Sequence, residues 1–229
     1  MSVFFPCYNE EKNVEESVRK TKAVMPEITD DFEIILVNDG SRDKTAEVAD
    51  RLAKADPRIK VVHHRVNRGY GGAVQSGFDA ATKDWVFFSD GDLQFDMAEL
   101  KDFVPHTETH DAVIGYRIKR AEGFSRARNA YLFKLFVNML FQLGVRDIDC
   151  AFKLVRTSRV RQFNLVSNGA VISTELLFKL KRTGVKFKEL PVHHFLRQHG
   201  TQTGANLKVI IKAGIESLKL FYQTRILRR

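Results

Sequence analysis

The feature that most constrains this chain is a series of short segments rich in aromatic and β-branched residues, at 3–5, 32–37, 59–63 and 85–88, each separated from the next by a helical pattern. Helical periodicity runs from Asn9-Glu10-Glu11 to about Met25 through Val14, Val18 and Val24, then from Ser41 or Asp43 as cap to Ala55, then from the glycine-rich stretch after residue 66 through Ala81. A further helix over 97–104 and a strand over 112–115 continue the rhythm. Strand and helix in strict alternation predict an α/β fold, a mostly parallel sheet flanked by helices on both faces. In such sheets ligands gather in the loops at the carboxyl edge. At 229 residues, with apolar segments spread evenly, one domain is expected.

The fourth segment ends at Ser89-Asp90-Gly91-Asp92-Leu93-Gln94. Asp90 and Asp92 therefore fall just past the end of a buried strand. Gly91 is expected to provide a tight turn, and period-two geometry points both acids to one side, where they repel unless a cation lies between them. Mg²⁺ or Mn²⁺ suits that position, because these ions take one or two carboxylates together with substrate phosphates, and Gln94 adds an amide oxygen. The same Asp-Gly-Asp sequence also occurs as a plain turn.

Composition narrows the classes further. The two cysteines, Cys7 and Cys150, are far apart and lack metal-ligand spacing, a usage expected of a reduced, cytosolic compartment. No cleavable signal precedes residues 3–6, and no apolar run reaches the 18 residues of a membrane span. The net charge of +9 is uneven: from Gly123 to Arg146 there is no acid, and beyond Leu190 only Glu216 opposes the lysines and arginines. A basic back half suits substrate phosphates, anionic lipid headgroups or nucleic acid, but no nucleic-acid-binding motif is present.

The stretch Asn67-Arg68-Gly69-Tyr70-Gly71-Gly72-Ala73 invites a dinucleotide reading, yet its spacing is not GxGxxG, and no GxxxxGK[ST] occurs. The first, second and fourth strand ends instead offer Tyr8-Asn9-Glu10, Asp39 and the Asp90/Asp92 pair. A nucleotide laid across that edge would meet Asp39 at its ribose or base, Tyr8 as a flat wall and a metal at its phosphates; the same polar residues also suit helix caps and turns.

Pro6-Cys7-Tyr8-Asn9-Glu10, Val37-Asn38-Asp39-Gly40-Ser41, the glycine-rich stretch and Ser89-Asp90-Gly91-Asp92-Leu93-Gln94, in this order, closely resemble the family 2 glycosyltransferases of the GT-A fold. Val113-Ile114-Gly115-Tyr116-Arg117, Ser125-Arg126 with Asn129, and residues 145–153 resemble the polyprenyl-phosphate branch, which includes dolichyl-phosphate mannose synthases. Asn38, Gly91 and the segment Arg197-Gln198-His199-Gly200-Thr201-Gln202-Thr203-Gly204 depart from the familiar pattern. The resemblance implies that Pro6, Tyr8, Glu10, Val37 and Asp39 hold the nucleoside of a GDP- or UDP-hexose, and that Asp90, Asp92 and Gln94 hold the metal. It also makes Arg197 and Lys208 candidates for the diphosphate, with a surface or lipid-facing role as the alternative for Lys208, and implies that Arg117 and Arg126, with Arg128 as a further candidate, receive the acceptor phosphate. His193 or His194 is a candidate late metal ligand, although an alternating strand through them points the two to opposite faces.

Two apolar stretches complete the reading. Residues 131–143 are apolar nearly all round, too short as a helix to cross a membrane, and residues 206–227 carry Lys208, Lys212 and Lys219 on one stripe with Leu207, Ile211, Leu218 and Phe221 on another. Either fits a core or surface helix, and together they fit interfacial helices on a membrane. The expected organisation is a catalytic domain over 1–205 and a basic amphipathic helix over 206–229. The expected activity is inverting, metal-dependent transfer of a hexose to a polyprenyl phosphate, peripheral on the cytoplasmic face of a membrane. A soluble relative with a saccharide or other hydroxyl acceptor, a nucleotidyltransferase and a nucleic-acid-binding protein are the alternatives.

Overall fold

A computed structural model describes residues 1–118, 124–200 and 207–226, with the side chains of 124–131, 207–210 and 225–226 left out of the description. In chain order the elements are β1 (Ser2–Cys7), α1 (Val14–Val24), β2 (Glu33–Asn38), α2 (Thr45–Ala55), β3 (Ile59–His63), α3 (Gly69–Ala80), β4 (Trp85–Ser89) and α4 (Leu100–Phe103). They continue with β5 (Ala112–Arg117), α5 (Phe124–Phe141), β6 (Phe152–Arg156), α6 (Thr157–Val160), α7 (Ile172–Arg182), β7 (Phe187–Val192) and α8 (Leu207–Phe221).

The strands pair in the order β3-β2-β1-β4-β6-β5-β7. β1, β2, β3 and β4 are parallel, as are β5 and β7, while β6 runs antiparallel to both its neighbours. The expected mostly parallel α/β sheet is therefore present, with one reversed strand that the alternation of segments did not reveal. Its reversal matters for the site. Register pairs Ser89 with Phe152, so the approach to β6, residues 145–151, arrives at the same edge where the other strands end.

Aromatic packing explains why these segments are strands buried on both faces. Phe4 of β1 and Phe88 of β4 stack at 5.4 Å and both meet Phe78 of α3 edge-on, while Phe87, on the opposite face, meets Phe152 at 4.6 Å. A second core gathers Ile114, Val137, Phe141, Leu177, Phe178, Ala213 and Leu220, so α5, α7 and α8 pack together beside β5.

Element boundaries differ from expectation for local reasons. α1 begins at Val14 rather than near Asn9, because Asn9 is left-handed (φ +57°) and the Glu10 carbonyl accepts the amides of Asn13 and Val14 to form a turn first. β1 continues through Pro6, which lies beyond the last residue paired with β4, where β1 has a neighbour only on the β2 side. β7 stops at Val192, short of the two histidines. α5 covers Phe124–Phe141 rather than 131–143, and α8 ends at Phe221, followed by a wide turn over Tyr222–Ile226.

Candidate active site

Asp90 and Asp92 leave β4 into the carboxyl edge as expected. Gly91 and Asp92 form a turn as expected, and the left-handed residue of the loop is Leu93 (φ +64°) rather than the glycine. A buried leucine in this conformation is strained by about 1 kcal/mol, and it lies between Asp92 and Gln94, two of the expected metal ligands. Gly91 also packs closely: a Cβ there would stand 3.3 Å from the Cys7 sulfur, so the acidic loop lies tightly on β1.

Asp92 is buried and Asp90 half-buried with one oxygen inaccessible, and their electrostatics follow from that. Burial first, then the charge of Asp92, pushes Asp90 up to about 7, against the Tyr70 hydroxyl and the positive charges of Arg117 and Lys153. Burial likewise raises Asp92, against the Gln94 amide and Arg197. Among the described residues, one oxygen of Asp90 is buried with no hydrogen-bond partner. Two such acids with a buried, unsatisfied oxygen fit a divalent cation, which would supply the missing partner. Among the described residues no three His, Cys, Asp or Glu side chains group together, so such an ion would complete its shell with substrate oxygens, as Mg²⁺ commonly does.

Gln94 is turned partly toward another task. Its backbone accepts the Phe195 amide at 2.8 Å and its side-chain amide donates to the Phe195 carbonyl at 2.9 Å, so it tethers the segment after β7. The histidines diverge as expected: His193 binds Glu99, while His194 packs edge-on against Phe95 at 5.2 Å. Farther along, Arg197 reaches back over the site. Its guanidinium pairs with Glu10, lies 3.5 Å from Asp92 and donates to the His199 carbonyl at 2.6 Å, while Glu10 also accepts from Asn13 at 2.6 Å. Burial raises Glu10, with Asn13 and Arg197 opposing. Glu10, expected at the nucleoside, is thus joined to Arg197 and the acidic pair.

At the β2 end, Asp39 is buried beneath the edge and Val37 is fully buried in the strand, supporting Asp39 from below, whereas Tyr8 is 42% exposed. Pro6 and Tyr8 close β1 at this same edge. Arg117, at the end of β5, forks onto Asp147 through Nε at 2.7 Å and Nη2 at 2.9 Å, and only 10% and 7% of the two side chains is exposed. Two of its three nitrogens are therefore already committed. The side chains of Arg126, Arg128 and Lys208 lie outside the described residues.

Three further residues contribute beyond the sequence-derived site candidates, two of them, Tyr70 and Lys153, within motifs. Lys153 is fully buried opposite Phe88 and donates to the carbonyls of Ile148 and Cys150; burial lowers its pKa. Tyr70 lies beside Asp90, and burial raises its pKa well above the ordinary value. His64 bonds Asp39. The one signal for His64 is its place directly after β3. The glycine-rich stretch, for its part, packs on protein rather than cradling phosphate: a Cβ on Gly71 would overlap the Ser167 carbonyl, and the Gly71 amide donates to Asn168 at 2.9 Å.

A parallel sheet with one reversed strand and an acidic pair at its carboxyl edge defines an α/β protein of the GT-A class. Consistently, the fold matches glucosyl-3-phosphoglycerate synthase from Mycobacterium tuberculosis, solved in complex with Mn²⁺, UDP and glucosyl-3-phosphoglycerate, at a TM-score of 0.72 and 21% identity over 96% of this chain and 78% of that one. The chain belongs to glycosyl transferase family 2, whose profile matches residues 2–164. Glycosyltransferase AglD of Haloferax volcanii is 32% identical over 202 residues, 84% of this chain and 32% of AglD. An undecaprenyl-phosphate 4-deoxy-4-formamido-L-arabinose transferase of Pseudomonas aeruginosa is 34% identical over 163 residues, 70% of this chain and 48% of that protein. One of the same name from Pseudomonas fluorescens is 28% identical over 215 residues, 92% of this chain and 62% of that protein. The chain thus spans about a third to three fifths of the length of these curated relatives.

Proposed function

We propose that this chain transfers a hexose, with inversion, from a GDP- or UDP-sugar to a polyprenyl phosphate, using Mg²⁺ or Mn²⁺ held by Asp90, Asp92 and Gln94. The observation that carries the reading is the acidic pair with a buried, unsatisfied Asp90 oxygen at the carboxyl edge. A bound divalent ion supplies neutralisation of charge on the nucleoside diphosphate as the sugar leaves. Pro6, Tyr8, Glu10, Val37 and Asp39 form the nucleoside site, and Arg197 with Lys208 serves the diphosphate. Arg197 is already drawn between Glu10 and Asp92, so its movement onto a diphosphate exchanges one set of anionic oxygens for another.

The acceptor argument rests on protonation. A hydroxyl acceptor must lose a proton as it attacks, whereas a phosphate monoester, with a second pKa of about 6, is already an anion. Asp147, a nearby candidate base, accepts from Arg117 on both oxygens and so is engaged in an ion pair. Arg126 and the remaining Arg117 nitrogen are the proposed acceptor cations. The names of the undecaprenyl-phosphate relatives agree with a lipid phosphate. Peripheral contact with an anionic membrane, through α5 and α8, with the basic segment 206–229 appended to a 1–205 catalytic domain, completes the proposal.

A nucleotide-sugar panel assayed with polyprenyl phosphate and Mn²⁺ tests it. Asp92→Asn keeps size but loses the charge, and activity is expected to fall about a hundredfold or more. Full activity in EDTA, or efficient transfer to a water-soluble alcohol with polyprenyl phosphate ignored, would overturn the metal or the acceptor assignment respectively.

A further inference from the structure

His64 and Asp39 form a buried pair whose hydrogen-bond directions can be worked out from chemistry alone. The carboxylate of Asp39 only accepts, so His64 Nδ1, 2.6 Å from Asp39 Oδ1, carries the proton. In the neutral ring Nε2 then accepts, and its partner at 2.8 Å, the Ser76 hydroxyl, donates. The Ser76 oxygen in turn receives Arg68 Nη1 at 3.4 Å, and the Arg68 backbone amide donates to the same Asp39 Oδ1 at 2.7 Å. Every donor in this relay points toward Asp39, and both that reach it fall on Oδ1. Asn67 Nδ2 holds the Asp39 carbonyl at 3.1 Å, fixing the backbone as well. Oδ2 has no hydrogen-bond partner among the described residues, and it belongs to a residue at the carboxyl edge where ligands bind.

We propose that His64 is a positioning residue for donor recognition: with the Arg68 amide it takes one oxygen of Asp39, so that the other accepts an N–H or O–H donor from the nucleoside. This rests on the nucleotide-sugar reading above and adds to it a residue that touches no substrate. An acceptor held in place selects for ligands that carry a donor there and rejects those that do not, because an unmatched buried carboxylate oxygen is costly. The donor is either a base ring N–H, present in uracil and guanine and absent from cytosine, or a ribose hydroxyl.

Isothermal titration of the Mn²⁺-loaded protein with UDP, GDP and CDP tests the assignment. His64→Leu is expected to weaken UDP or GDP binding about tenfold or more, while affinity for Mn²⁺ alone, read by electron paramagnetic resonance, stays unchanged. Asn places an amide nitrogen where His64 Nδ1 sits, whereas Gln places one nearer Nε2. His64→Asn should therefore restore binding to within about threefold of wild type, and His64→Gln should not. In an Asp39→Ala background His64→Leu should have no further effect. Rejection of CDP by the wild type assigns the base as the donor, and equal binding of CDP and UDP assigns the ribose. Wild-type affinity in His64→Leu, failure of His64→Asn to rescue, or an undiminished effect in Asp39→Ala overturns the positioning role. Failure of the wild type to bind any of the three nucleotides overturns the donor reading beneath it.

Discussion

At the scale of single residues, burial decides the behaviour of the site. Asp90 rises from the ordinary aspartate range to about 7, and Asp92 is raised with it, because burial disfavours their charged forms and the two lie close together. The folded state therefore holds protons that the unfolded chain releases near pH 4. Between those values the native form binds more protons, so the stability of the metal-free protein falls as pH rises from about 4 to about 7. Binding of a divalent ion must displace those protons. Mn²⁺ affinity is accordingly expected to increase from pH 6 to pH 8 with proton release, readable by calorimetry in buffers of different ionisation enthalpy; a flat profile would contradict it. Asp90→Asn removes that charge, so the metal-free variant at pH 8 should melt about 2–5 °C higher while losing Mn²⁺ affinity. Lower stability in that variant would show that Asp90 is held charged by its neighbours instead.

At the scale of elements, the glycine-rich start of α3 and the reversed strand β6 shape the edge. The loop over 166–168 is clamped from one side by the fully buried carboxylate of Glu175, which accepts the amides of Val166 and Ser167, and from the other by Gly71 and by Gln75, which donates to Ser167 at 2.9 Å. Tyr70 stands within this turn and reaches Asp90. Gly71→Ala drives a methyl into the Ser167 carbonyl, so either the loop or the first turn of α3 must move. Destabilisation of about 1–3 kcal/mol in urea denaturation is expected, on the scale of an overpacked site. A neutral result would mean that the loop yields freely and does not seat Tyr70.

At the scale of the whole molecule, α5 and α8 present an apolar surface outward. α8 turns Ala213, Ser217 and Leu220 inward and leaves Ile211, Ile215 and Leu218 at least 51% exposed, the turn after it buries Thr224 and exposes Tyr222, and α5 leaves Leu132, Leu135 and Met139 exposed. Lys212 and Lys219 flank these residues. No helix among the described residues is long and apolar enough to cross a membrane. An exposed apolar stripe with flanking lysines matches the interfacial mode of membrane contact. Co-sedimentation with anionic liposomes should weaken as salt rises, weaken further in Lys212→Glu/Lys219→Glu, and fall at every salt concentration in Ile215→Ser/Leu218→Ser. Equal recovery on neutral and anionic vesicles, unaffected by these changes, would argue against the surface.

What the sequence by itself determined is what local pattern and strand-end chemistry can carry. It determined the alternation that makes the sheet mostly parallel, the arrival of Tyr8, Asp39 and the Asp90/Asp92 pair at one edge, and the family, legible in ordered motifs. Only the tertiary structure decided the rest, because the deciding contacts join residues far apart in the chain. β6 runs backward because β4 and β5 leave a gap between them that the chain enters from the carboxyl edge, and no periodicity encodes direction. The left-handed residue of the acidic loop is Leu93, while Gly91 lies close against Cys7. Arg117 is occupied by Asp147, thirty residues on, and His64, just past the end of the neighbouring strand, bonds Asp39. Which apolar stripe of α8 faces inward was decided by the partner helix: its small residues fit close against the domain, leaving its larger apolar side chains outside.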